Sequence, residues 1–153
     1  MKWSLFKTIG LLFTLGMGFV MVLFMVEPVR VIGWVLNPVN KQTAVRYLDA
    51  LTENDLQAAS AELARNPERQ KEWVRQMEEL RAQGLYAVRY NSLVVPHDRE
   101  HMDGRTRLVF AIQGVERYQE MILTFAPSGI NQACIMSPAS EAEQAWNRLN
   151  CHY

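Results

Sequence analysis

Two histidines and several carboxylates lie close together in the segment PHDREHMDG, residues 96–104. On a helix, His97 and His101 would share one face, where two imidazoles can bind zinc. The proline at the start of the segment and the Asp-Gly pair at its end instead predict a loop between strands. The zinc motif also requires a glutamate directly after the first histidine, and Asp98 stands there. The segment is therefore predicted to be a solvated loop, with a surface metal site as the alternative.

Two carboxylates and three tyrosines could perform acid–base chemistry or bind a ligand in a cavity between helices and a sheet. Asp49 and Glu120 are the candidate proton donors or acceptors, and Tyr47, Tyr90 and Tyr118 are candidate lining residues. Each has an ordinary alternative, namely a solvated carboxylate or a tyrosine in the core or at its rim. The sequence contains no phosphate-binding loop, serine nucleophile motif or cluster of cysteine ligands. It therefore predicts no catalytic residue, no cofactor and no metal, in a protein that is not an enzyme.

The two cysteines of the chain, Cys134 and Cys151, lie in its last fifth. An oxidising compartment would allow them to form a disulfide that closes a loop of about 17 residues. The chain-entropy model assigns roughly 3 kcal/mol of stabilisation to a loop of that size. We expect the disulfide to hold a C-terminal helix against a sheet, and the alternative is two unrelated thiols.

An apolar run, TIGLLFTLGMGFVMVLFMV, occupies residues 8–26 and contains no charge over 19 residues. As a helix it would span about 28 Å, the thickness of the hydrocarbon core of a bilayer. A cleaved signal peptide is the alternative, but its apolar part is shorter and ends at small residues such as Ala-x-Ala, which do not follow here. The run predicts one transmembrane helix that is retained in the mature protein.

The residues around the apolar run predict its direction in the membrane. Lys2 and Lys7 precede it with no acidic residue among them, so the positive-inside rule places the N-terminus in the cytoplasm. Trp3 and Trp34 stand at positions suited to the two membrane interfaces. We therefore expect a single-pass protein of the cell membrane whose C-terminal domain is extracytoplasmic, in the bacterial periplasm or at the cell surface.

The chain divides into three predicted parts. Residues 1–27 form a cytoplasmic tip and the transmembrane helix, residues 28–40 form a juxtamembrane strap with two prolines, and residues 41–153 form one domain. The chain carries 16 basic and 16 acidic residues. Nucleic-acid binding usually requires a basic face, so this balance argues against a nucleic-acid partner.

Three short amphipathic helices are predicted after the strap, because apolar residues recur there at helical spacing. Asn40 and Thr52 can cap the first two helices, and the second ends before an Asn-Pro pair at residues 66–67. The third runs from about residue 67 to residue 83. Gly84 then supplies a left-handed stop.

Apolar residues alternate with polar ones after Gly84, which predicts four strands. They lie at about residues 86–95, 107–112, 116–125 and 130–137. Their short connections, including a turn at Gln113-Gly114, require antiparallel neighbours. A capping box at Ser140 begins a short C-terminal helix. Helices followed by strands predict an α+β domain, with three short helices packed on a curved antiparallel four-stranded sheet.

The stretch AVRYLDALTENDLQAA, residues 44–59, resembles the opening helices of nuclear transport factor 2-like domains, the superfamily that includes polyketide-cyclase-like proteins. The shared features are an aromatic residue in the first helix, a polar break at Asn54-Asp55, and then a leucine and alanines. The resemblance covers roughly residues 40–137 and implies a cone-shaped α+β fold. Members of the superfamily include enzymes, binding modules and structural subunits, so the fold does not select a function.

The leading functional hypothesis is a non-catalytic, membrane-anchored subunit whose extracytoplasmic domain binds other proteins in a membrane-associated assembly. Its expected partners are membrane lipid and other membrane proteins, including a second copy of the same chain. The alternative is a small-molecule binding protein or an enzyme that uses the mouth of the cone. That alternative requires an open pocket, and it fails if Phe110, Met121 and their neighbours fill the cavity.

Overall fold

The structure is a computed structural model, and it describes residues 2–26, 28–95 and 103–151 of the 153-residue chain. Within the two N-terminal helices, the side chains of residues 2–8, 11, 23, 24, 26 and 28–36 lie outside the described part. The predicted interface residues Lys2, Trp3, Lys7 and Trp34 fall in this group. The histidine segment also lies outside the described residues, from Pro96 to Met102.

Two long helices, α1 (Lys2–Val26) and α2 (Pro28–Thr52), form the N-terminal third of the chain. The large apolar side chains described on α1 are exposed, from Val20 at 49% to Met25 at 85%. Among the described residues, no helix combines the length and the apolar character needed to cross a membrane.

Residues 28–40, the predicted juxtamembrane strap, belong to α2 and are helical. Pro28 is the first residue of this helix, a position where its missing N–H group costs nothing. Pro38 lies inside the helix. The C-terminal half of α2 buries Tyr47, Leu48 and Leu51, and this packing holds the helix together in spite of Pro38.

The helices α3 (Leu56–Ala61) and α4 (Pro67–Ala82) follow α2 after short turns. Asp55, and not the predicted Thr52, caps α3, because its carboxylate accepts the N–H of Ala58 at 2.9 Å. Asn66 caps α4 in the same way through the N–H of Arg69. These two caps fix the points at which the chain enters the helical layer.

The four strands β1 (Leu85–Val94), β2 (Asp103–Ile112), β3 (Val115–Ala126) and β4 (Gly129–Ile135) form one sheet in chain order. Every neighbouring pair is antiparallel, as the short connections predict. Gln113 and Gly114 join β2 to β3 with φ values of 51° and 83°. This is the backbone of a tight hairpin turn. The α+β prediction with a four-stranded antiparallel sheet is confirmed.

The core lies between the described helices and one face of the sheet. Phe110 of β2 packs against Trp146 with ring centroids 5.1 Å apart, and Tyr47 lies 6.5 Å from Trp73. The largest side chains with less than 2% exposure come from both layers: Tyr47, Leu48, Trp73, Leu85, Leu108, Phe110, Met121, Leu123, Ile130, Ile135, Glu143 and Trp146. Burial of this apolar surface is the main source of the domain's stability.

The terminal helix α5 (Glu141–Asn150) and the disulfide close the β4 edge of the sheet. Trp146 donates its indole N–H to the carbonyl of Ala133 at 2.8 Å, and Asn147 bonds both backbone groups of Ile135. Cys134 and Cys151 form a disulfide, as predicted. Among the described residues, no backbone hydrogen bond extends outward from the opposite edge strand, β1.

Candidate functional site

One face of the sheet is left uncovered by the described helices, and we call it the outer face. Phe110 points to the helices, so its neighbours Val109 and Ala111 point the other way. The register then assigns the facing residues of β1 and β3 to the same surface. The outer face consists of Tyr86, Arg89, Arg105, Arg107, Val109, Ala111, Glu116, Tyr118, Glu120 and Met136.

Arg89 is the central side chain of the outer face. It lies on β1, and its guanidinium crosses β2 above Val109 to reach Tyr118 on β3, 5.9 Å from the ring centroid. It donates to the Tyr118 hydroxyl at 3.3 Å and to the Glu116 carboxylate at 2.9 Å. The bond to Tyr118 and the charge of Glu116 raise the pKa of Arg89, so this residue stays a cation. Val109 beneath it has no exposed surface.

A second ion pair lies further along the same strands. Arg107 and Glu120 are opposite each other in the register, and their charged atoms are 3.5 Å apart. They border a shallow cavity of about 180 Å³ that Val94 and Met136 also line. Val94 is 58% exposed and Met136 is 49% exposed. Apolar and charged groups therefore alternate across this end of the outer face.

The outer face contains residue types that are enriched in protein–protein interfaces, namely tyrosine, arginine and methionine, beside glutamate and alanine, which are depleted there. Lysine is also depleted there. The outer face contains three arginines and no lysine. Tyr118 is 59% exposed, although an arginine holds its ring in place. A rigid aromatic residue of this kind loses little conformational entropy when a partner covers it.

The predicted pocket residues do not lie in one pocket. Tyr47 is fully buried against Trp73, and burial raises the pKa of its phenol. The structure brings Asp49 and Tyr90 together, because the Tyr90 hydroxyl donates to the Asp49 carboxylate at 2.8 Å. Burial, followed by this bond, raises the pKa of Tyr90.

Tyr118 and Glu120 lie on the outer face, on the side of the sheet away from Tyr47. Phe110 and Met121 have no exposed surface, and Trp146 packs on the Phe110 ring. The interior of the domain, where the predicted pocket would lie, is therefore filled by side chains. In the part of the chain that the structure describes, no three histidine, cysteine or acidic side chains gather to hold a metal ion.

Comparison with family models, curated proteins and solved structures finds no match to this chain. The candidate site therefore depends on the geometry of the chain alone.

Sequence reasoning found Tyr118 and Glu120 but placed them in a cavity, and it missed Arg89 and Glu116. The alternation of polar and apolar residues gives each strand two faces, but it does not say which face the helices cover. The sequence alone therefore could not single out Arg89 and Glu116.

Proposed function

We propose that this protein is a non-catalytic, membrane-anchored subunit whose extracytoplasmic domain binds another protein through the outer face. The observation that carries the proposal is the Arg89–Tyr118 pair, a positioned aromatic residue exposed at the centre of a sheet face that the described helices leave open. Hot spots of protein interfaces are enriched in these two residue types.

The membrane part of the proposal is supported by the apolar run of α1. Its exposed side chains include Leu12, Phe13, Leu15, Phe19 and Val22. So many exposed large apolar residues in sequence are unfavourable in water and favourable in lipid. The charges around the run support a cytoplasmic N-terminus and an extracytoplasmic domain.

The domain part is supported by the charge pattern of the outer face. Arg89 with Glu116 and Arg107 with Glu120 present two ion pairs of alternating charge, and Arg105 adds one further positive charge. A partner with alternating charges fits this pattern, whereas a strongly acidic or basic partner does not. The order of helices followed by an antiparallel sheet also supports assignment of the domain to the nuclear transport factor 2-like superfamily.

The proposal is tested by purifying the full chain from membranes in mild detergent and separating its complexes on native gels. We expect the wild-type chain to migrate as a complex, with another membrane protein or with a second copy of itself. The double variant Tyr118→Ala and Arg107→Ala should lose most of the complex, because hot-spot residues cost 2 kcal/mol or more, about thirtyfold in affinity.

Arg81→Ala is the matched control, since Arg81 is exposed on α4, away from the outer face. It should leave the complex intact. A wild-type chain that migrates as a lone monomer would overturn the proposal, as would a complex that survives the double variant.

A further inference from the structure

A cleft on the helical side of the domain gathers three arginines. It lies between α4 and the C-terminal part of α5 and has a volume of about 440 Å³. Arg65, Arg69 and Arg148 line it, with Trp73 and Leu149. Ligand pockets in proteins usually begin at about 300 Å³, so the cleft has room for a small molecule. We call it the arginine cleft.

The charge of the arginine cleft is not balanced by its own residues. Its carboxylate, Glu72, is held by Arg75 at 2.5 Å and by Gln76, both on α4. Arg69 and Arg148 form no ion pair with the residues that the structure describes. Three guanidinium groups therefore share the cleft without a free counter-charge.

Arg65 is fixed in the cleft and is incompletely satisfied. Its Nη2 donates to the carbonyl of Leu149 at 2.9 Å, which joins the segment before α4 to the end of α5. Its Nε is buried and has no hydrogen-bond partner among the described residues. Burial, with the nearby charge of Arg69, lowers the pKa of Arg65. An anion in the cleft would relieve the repulsion between the arginines.

The donors of the cleft are matched to one kind of anion. The indole N–H of Trp73 is already used by Asn150 at 2.7 Å, so the guanidinium groups are the available donors. Guanidinium binds carboxylate and phosphate through paired N–H groups. A carboxylate has one negative charge and two oxygens, which is too few to pair with three guanidinium groups. A phosphate dianion has two negative charges and three terminal oxygens, so it can accept from all three. Leu149 supplies an apolar wall beside them.

We propose that the arginine cleft binds the phosphate group of a small molecule through Arg65, Arg69 and Arg148. The cleft belongs to the helical layer and not to the outer face, so this inference is independent of the proposed function. The phosphate could be free or esterified, and the two sources differ in whether an organic group contacts Leu149.

The test is calorimetric titration of the full chain with inorganic phosphate, phenyl phosphate and benzoate. We expect both phosphates to bind, and an ester preference would show that the organic group is recognised. The double variant Arg69→Gln and Arg148→Gln should weaken phosphate binding about tenfold or more, because hydrogen bonds to charged groups are lost. Both residues are exposed, so the variant should fold.

The control is the double variant Arg81→Gln and Arg117→Gln, which removes the same charge at exposed positions outside the cleft. It should bind phosphate as the wild type does. Absence of phosphate binding, or equal losses in the two double variants, would overturn the proposal. Benzoate binding as tight as that of phenyl phosphate would overturn the assignment to phosphate.

Discussion

Asn147 pairs with the edge strand β4 through its side-chain amide. Its Oδ1 accepts the N–H of Ile135 at 2.8 Å, and its Nδ2 donates to the carbonyl of the same residue at 2.8 Å. Asn147→Ala would leave both backbone groups without partners in a buried position. We expect the free energy of unfolding to fall by about 2–6 kcal/mol, from about 1–3 kcal/mol for each unpaired group. Urea unfolding of the full chain in detergent measures this loss.

Asn131→Ala is the matched control, because Asn131 lies on the same strand and is exposed. Its effect should stay within about 0.5 kcal/mol. Equal unfolding midpoints for the two variants would contradict the role of Asn147 at the edge.

Glu143 is a buried carboxylate that makes the stability of the domain depend on pH. Burial opposes its charge, but the N–H groups of Ser140 and Ala139, the Ser140 hydroxyl and the Gln119 amide together lower its pKa. A lowered pKa stabilises the fold above the unfolded-state pKa. We therefore expect the unfolding free energy to fall as the pH drops below about 4.5, the ordinary glutamate value.

The pH dependence is measured by urea unfolding between neutral and acidic pH. Glu143→Gln should flatten the acidic part of the curve, whereas Glu141→Gln, at an exposed carboxylate in the same helical turn, should keep its shape. A curve for Glu143→Gln that is parallel to the wild-type curve would refute this assignment.

At the scale of elements, the backbone at Glu62, before α4, is hydrogen-bonded to the start of β4. The contact is so close that position 129 requires glycine. Gly129 has a φ of 141°, and a Cβ atom there would lie 2.4 Å from the carbonyl oxygen of Glu62. That carbonyl accepts the N–H of Ile130 at 2.8 Å. Gly129→Ala should therefore separate the two segments and destabilise the domain by more than the 1 kcal/mol or so typical of backbone strain alone.

Gly114→Ala is the control, because it introduces backbone strain without a steric clash. Gly114 also has a positive φ, of 83°, but a Cβ atom there would meet nothing within 4 Å. In thermal unfolding, we expect Gly129→Ala to lower the midpoint more than Gly114→Ala. The reverse order would show that the contact with Glu62 is unimportant.

The sequence predicts correctly those elements that depend on neighbouring residues in the chain. The Ser140 capping box and the Gln113-Gly114 turn are present as predicted. The Thr52 cap is wrong because Asp55, three residues further on, caps α3 instead. Thr52 is the last residue of α2, and its hydroxyl donates back to the carbonyl of Asp49 at 2.9 Å. A proline in the sequence does not reveal that a packed helix will tolerate it.

At the scale of the whole molecule, the apolar run of α1 predicts how the protein fractionates. The wild-type chain should stay with membranes after washing at alkaline pH. Leu15→Arg combined with Phe19→Arg should release it, because each arginine costs about 2.5–3.5 kcal/mol at the centre of a transmembrane helix. Immunoblotting of pellet and supernatant measures the distribution.

Val39→Arg is the control, since Val39 is also apolar and 56% exposed but lies on α2. It should remain in the pellet. A wild-type chain found in the supernatant would contradict the proposed anchor.

The candidate site was less predictable than the fold because it depends on which surface remains uncovered. Strand alternation groups Tyr118 with Glu120, but only the assembled helical layer decides that they face outward. Arg65 and Arg148 are 83 positions apart in the sequence. No local pattern could have indicated that they line one cleft.

The two edges of the sheet differ, and this limits how the molecule can polymerise. Trp146, Asn147 and the backbone near Leu63 occupy the hydrogen-bonding groups along β4, whereas β1 is not paired on its outer side by the described residues. In the part of the chain that the structure describes, β1 is the sheet edge that is left open to a strand of a second copy. Pairing of two β1 strands would leave the two β4 edges outermost, where α5 and the backbone near Leu63 oppose further strand addition.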